Sequence, residues 1–127
     1  MIKLLLLVGL GSGIGGMFRV AISLLINLKY GKTTAFPIGI LIVNLIGCFL
    51  MGLAFAYLNQ KPRYESLYVF LAMGFLGGFT TFSAFSLETL QLFQSRDFSN
   101  AFIYISLSTI LSVIVCYLGI SLKNLIN

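Results

Sequence analysis

The sequence predicts an all-α integral membrane protein of four transmembrane helices, the third broken near its middle. Three observations carry this. Hydrophobic residues make up 59% of the 127 residues and charged residues 9%, whereas a soluble domain carries roughly 25% charged residues. So few charges cannot cover a water-facing surface, so lipid must be the solvent for most of the chain. The apolar residues fall into four runs, each near the roughly 20 residues a helix needs to cross a bilayer. The third run is longer than that and carries Gly77-Gly78-Phe79-Thr80-Thr81-Phe82-Ser83 in its interior. Residues 1–127 therefore read as a single transmembrane domain of a multi-pass protein of the cell membrane.

The first span is expected over residues 4–28. Lys3 and the apolar stretch after it resemble a signal peptide, but no A-x-A-like site follows and Arg19 interrupts the run, so it reads as a retained helix. Gly9/Gly13 and Gly11/Gly15 form two small-xxx-small pairs that let backbones approach closely in lipid. The second span covers 36–58, with Pro37 in its first turn and a small-residue face of Gly47, Cys48, Gly52 and Ala56. The third span covers 66–95. Adjacent glycines weaken a helix, neighbouring hydroxyls compete for backbone groups, and non-helical backbone at membrane depth is tolerated only inside protein or against a wet cavity. The fourth span covers 100–122 and carries Tyr104, Ser108 and Ser112 at i, i+4 and i+8, a narrow polar stripe. Ser106 and Thr109 fall on other faces.

The net charge is +5, but the basic residues sit at the ends of apolar runs, as membrane anchors do, and form no nucleic-acid patch. Four spans put Lys3, Lys61, Arg63 and Lys123 on one side and Lys29, Lys32 and Arg96 on the other. That balance fits insertion in both orientations with an inverted partner, and equally a weak single orientation. The small-residue faces call for partners, and a homodimer is the economical assembly.

A broken helix exposes carbonyls at the end of its first half, which suit a cation. It exposes N–H groups at the start of its second half, which suit an anion. Thr80, Thr81, Ser83 and Ser86 add hydroxyls. Phe82 and Phe85, at i and i+3, share one face; they either pack or turn their positive ring edges toward an anion path. Arg19 within the first span either faces a cavity or snorkels to an interface or neutralises Glu88. Asn44 either reads an ion or hydrogen-bonds across helices. Cys48 and Cys116 lie apart within apolar runs and read as packing residues. Without histidine, a carboxylate pair or a nucleotide loop, no enzyme site is expected. The G-x-G-x-x-G at 11–16 lies in an apolar span and is discounted.

These residues resemble the CrcB/Fluc family of fluoride channels. The likeness rests on Gly15-Gly16-Met17-Phe18-Arg19, on Val43-Asn44-Leu45-Ile46-Gly47, and above all on residues 77–86 followed by Glu88; Ala84 stands where many relatives have Thr or Ser. The resemblance implies an antiparallel, dual-topology homodimer with two fluoride pores that lowers cytoplasmic fluoride by passive efflux. It also implies a structural sodium ion on the dimer axis, held by the backbone carbonyls of Gly77 and Thr80 from both copies. By the same resemblance Phe82 and Phe85 line the pores with Thr81 and Ser83 beside them. Asn44 is then a polar ligand, Arg19 sits near a vestibule, and Tyr104, Ser108 and Ser112 form a polar track. The implied partners are fluoride, sodium, membrane lipid and a second copy, with no nucleic acid. A small dual-topology proton-coupled multidrug exporter is the competing class, but it relies on an acid in the first span, which here carries Arg19 and none. A structural subunit without transport is disfavoured by the polar break.

Overall fold

The computed structural model describes residues 1–31 and 36–126, so Lys32, counted above in the first loop, lies outside the described residues. Four helical runs among the described residues are long and apolar enough to cross a membrane: Ile2–Tyr30, Ile38–Leu58, Pro62–Gln94 and Phe98–Ile126. We call them spans one to four. Spans two, three and four follow Pro37, Lys61 and Asp97, polar or turn-forming starts. Gly39 N–H, in the opening turn of span two, donates to Asn27 Oδ1 at 3.1 Å, which ties spans one and two together across the loop. Asp97 caps span four by accepting from Asn100 N–H at 3.3 Å, filling one of the donors left open at a helix start.

Glycine sets which spans touch. A Cβ on Gly11 or Gly15 of span one would run into the main chain of span three at Phe70, Gly74 and Phe75, and one on Gly78 would strike Ser12. Spans two and four meet in the same way through Gly52 against Cys116 and Gly119 against Phe49. The other pair predicted in span one, Gly9 and Gly13, faces open space. Residues two apart on a helix point to nearly opposite sides, so only one of the two pairs could meet span three. Lys123 closes the spans-two-and-four pair by donating from Nζ to Ala56 O at 2.8 Å, satisfying a carbonyl at the end of span two.

Span three opens on a 3-10 turn over Pro62–Tyr64, and two longer segments also depart from α geometry. Residues Val69–Leu76 of span three and Leu107–Leu111 of span four are π-helical, a wider winding common near functional sites. Span three is interrupted further on. Gly77–Phe79 are helical, Thr80 (φ −81°, ψ 156°) and Thr81 (φ −152°, ψ 123°) are extended, and the helix resumes over Phe82–Gln94. The glycines expected to break the helix are thus inside it, and the two threonines carry the interruption. Gly78 is required instead for the close approach to Ser12.

The chain buries little of itself. Its accessible surface is 8072 Å² for 13.9 kDa, against roughly 6,700 Å² expected of a folded soluble monomer of that mass. The surplus is apolar, with Met73, Val113 and Phe82 all largely exposed. Lipid suits such a surface, and the chain is a multi-pass membrane protein.

Candidate functional site

The interruption in span three gathers most of the polar residues singled out in the sequence. Thr80 N–H still makes the last i→i−4 bond of the first half, whereas Thr81 has backbone groups that no helix satisfies and needs a substitute partner. Thr80 N–H and its Oγ1 both donate to Leu76 O, at 3.0 and 2.9 Å. Thr81 is held from span two: its N–H donates to Asn44 Oδ1 at 2.8 Å, and Asn44 Nδ2 donates back to Thr81 O at 3.0 Å. The Thr81 side chain accepts from Ala84 N–H at 3.1 Å and pairs with Ser83 Oγ at 3.0 Å, an N-cap on the second half of the span. Thr81 is buried, 8% exposed. Among the described residues, no donor reaches the carbonyl oxygens of Gly77 and Thr80.

Two cavities meet at Thr81. One, of about 400 Å³, is walled by Asn44, Thr80, Thr81, Phe82, Phe85, Ser108 and Ser112, with Cys48, Thr109 and Val113 completing it. The other, of about 380 Å³, lies on the first-span side and is lined by Arg19, Ser23, Thr81 and Ser83 among others. Thr81 therefore stands between a cavity that carries a guanidinium and one that carries aromatic rings and hydroxyls. Ser23 Oγ is occupied, donating to Val20 O at 3.1 Å. Ser108 Oγ differs: it is buried, and its interaction with the Tyr104 hydroxyl falls short of full hydrogen-bond geometry. A buried hydroxyl without a full partner is costly and marks a place where a ligand or water is wanted.

The aromatic wall is continuous. The Phe82 and Phe85 rings lie 5.3 Å apart, Phe85 and Tyr104 5.3 Å, and Phe36 meets Tyr104 edge-on at 5.6 Å. Phe85 is buried, whereas Phe82 is 77% exposed and projects from the chain. The Phe82 ring therefore borders the cavity while leaving most of its own surface uncovered by the chain.

Tyr104, the first member of the fourth-span stripe, is fully buried, and its hydroxyl donates to Glu88 Oε2 at 2.7 Å. It sits behind Phe85 while Ser108 and Ser112 line the cavity, so the stripe divides into a support and a lining. Glu88 accepts this bond from Tyr104, and Arg19 is among the residues that line the second cavity. Cys48 and Thr109 line the first cavity, though Cys48 reads in sequence as packing and Thr109 as lying on another face. The π winding over Leu107–Leu111 changes the angular step along span four, so a strict i+4 stripe misses Thr109. Among the described residues no group of three or more His, Cys, Asp or Glu comes together. A cation held here would need neutral oxygen ligands, and hard cations accept backbone carbonyls.

The family model of the CrcB-like protein, Camphor Resistance (CrcB), matches residues 6–120. The chain belongs to the CrcB family. Similar CrcB-type relatives extend over nearly its full length. A protein of Flavobacterium psychrophilum named fluoride-specific ion channel FluC is 44% identical over 119 residues, covering 93% of this chain and 94% of the relative. One of the same name from Coxiella burnetii is 42% identical over 127 residues, covering 96% and 95%. Another from Azobacteroides pseudotrichonymphae is 39% identical over 122 residues, covering 94% of each. The motif-bearing residues 15–19, 43–47 and 77–88 all fall within the CrcB match.

Proposed function

We propose that this chain is the protomer of a fluoride-selective channel that lowers cytoplasmic fluoride by passive efflux across the cell membrane. The observation that carries this is the match, over more than nine-tenths of both chains, to relatives named fluoride-specific ion channels. The site chemistry agrees with it. Fluoride is small and holds its water tightly, so a path must offer donors in place of that water. The Ser108 and Ser112 hydroxyls, the spare N–H of Asn44 and the positive ring edges of Phe82 and Phe85 are such groups. None traps an anion as a buried ammonium would, and conduction needs entry and exit both to be easy. Arg19 raises the local anion concentration at the mouth of the path.

The assembly in this proposal is an antiparallel homodimer with dual topology. The surplus apolar surface and the projecting Phe82 ring support it, since a second copy would complete the wall. The interruption of span three then lies mid-membrane near the two-fold axis. The free carbonyls of Gly77 and Thr80 from both copies fit a sodium ion there. Such an ion would supply positive charge binding the two copies, and the chain's own part is to hold those oxygens open.

The test is ion flux from liposomes containing the purified protein. Fluoride efflux without chloride efflux, and without need of a proton gradient, is expected. Equal chloride passage would refute selectivity. Proton-coupled drug exchange with silence toward fluoride would support the exporter class instead.

A further inference from the structure

The geometry points to Asn44 and Thr81 as the pair that opens the carbonyl site, a positioning role that rests on the cation reading above. In an unbroken α-helix the N–H of residue i donates to the carbonyl of i−4. Thr81 N–H would go to Gly77 O, and Ala84 N–H to Thr80 O. Both donors are diverted. Thr81 N–H goes to Asn44 Oδ1 at 2.8 Å, and Ala84 N–H goes to Thr81 Oγ1 at 3.1 Å. Each diversion puts a side-chain oxygen where a main-chain oxygen would be. The carbonyl is released, yet neither diverted N–H is left unpaired, so for these two the usual penalty for a buried orphan donor does not arise.

The extended Thr80 and Thr81 part all four carbonyls from Gly77 to Thr80 from their helical donors, and for Gly78 and Phe79 that is the whole account. Gly77 and Thr80 are the two whose donors are each taken by a named side chain. The return bond from Asn44 Nδ2 to Thr81 O at 3.0 Å fixes the amide plane and keeps Oδ1 on the Thr81 N–H. Only one of the two Nδ2 hydrogens is used, so Asn44 can still present the other to the cavity it lines. A side chain of span two thereby sets what span three offers to a cation. Asn44 acts on the cation through Thr81, without touching it.

The experiment uses the full-length protein in detergent. Its thermal unfolding midpoint and the hydrogen exchange of its span-three amides are followed as sodium replaces N-methylglucamine. The wild type should be stabilised by sodium. Asn44→Leu, close in size but without an acceptor, and Thr81→Val, which exchanges the hydroxyl for a methyl group, each let one N–H return to its helical carbonyl. Both should need about tenfold more sodium for half-maximal stabilisation, since a restored main-chain hydrogen bond must now be broken. They should also slow exchange at the Thr81 or Ala84 amide in sodium-free buffer. Thr81→Ser keeps the acceptor and should behave as wild type. Sodium responses of both deletion variants equal to wild type would overturn the inference. If Asn44→Leu does not fold, Thr81→Val against Thr81→Ser decides it. A wild type that conducts fluoride but ignores sodium removes the cation reading and this inference together, leaving the channel reading intact. A wild type that responds to sodium but passes no fluoride removes the channel reading, and a tenfold shift in Thr81→Val would still support the inference.

Discussion

Replacing Ser108 with alanine should make the protein more stable and a poorer channel. Most buried serines behave the other way, because their hydroxyl has a partner and its loss costs about 1 kcal/mol. Ser108 Oγ is buried, and its contact with the Tyr104 hydroxyl falls short of a full hydrogen bond. Leaving such a group unsatisfied costs roughly 1–3 kcal/mol, and Ser108→Ala removes that cost while vacating the volume of one oxygen. The expected net gain is about 1 kcal/mol. In the proposed channel the same residue, which lines the cavity of about 400 Å³, would donate to a passing anion. Losing one charge-assisted hydrogen bond, roughly 1.5–3 kcal/mol, should cut fluoride flux by about 10- to 100-fold. Unfolding of the purified protein and fluoride-electrode efflux from liposomes read the two effects separately, with Ser108→Thr as the hydroxyl-retaining control. A stability loss near 1 kcal/mol would mean that the hydroxyl is bonded in the assembled protein. Unchanged flux would remove Ser108 from the path.

Other substitutions separate lining from support. Phe82→Ile should reduce fluoride flux sharply with little loss of protomer stability, because the ring is largely exposed. Phe85→Ile should reduce flux and also cost about 1–2 kcal/mol through its lost contact with Tyr104; normal flux in both would refute a ring-lined path. Tyr104→Phe keeps the ring packing but strips Glu88 of its donor, which should cost about 1–3 kcal/mol in unfolding experiments; no loss would mean the bond does not form. Gly15→Ala, whose Cβ would meet the Phe75 main chain, should destabilise by about 1–3 kcal/mol, while Gly9→Ala points into open space and should be neutral or slightly stabilising. Cysteine placed at Lys29 should be labelled from both sides of the membrane, and labelling from one side alone would refute dual insertion.

The spans were legible because hydropathy and helix length are local properties. Their ends shifted by only a few residues, as when span one ran to Ile2–Tyr30 instead of 4–28. The interruption was legible as a region but not as a place. Gly77 and Gly78 look like helix breakers by propensity, yet in lipid a glycine serves close packing, and Gly78 is occupied with Ser12. What bends the chain is acceptor chemistry at Thr81, and half of it comes from Asn44, 37 residues away. Sequence spacing carries no sign of such a pair. The Tyr104–Glu88 bond, 16 residues apart across a turn, was hidden for the same reason. Of the fourth-span stripe, Ser108 and Ser112 line one cavity while Tyr104 does not; the π winding that brings in Thr109 has no composition signal.

The joint in span three is only two residues long, and Thr81 is both its clasp and the partition between two cavities. A joint so short has no slack to share. In the proposed channel, any change that loosens it displaces the partition and the cation-facing carbonyls by the same motion. Throughput and cohesion between copies are therefore mechanically linked, and faster variants selected near Thr81 should come at the expense of a weaker dimer. Variation that tunes passage alone should gather on the far wall at Cys48 and Val113, whose side chains make no tie to the backbone.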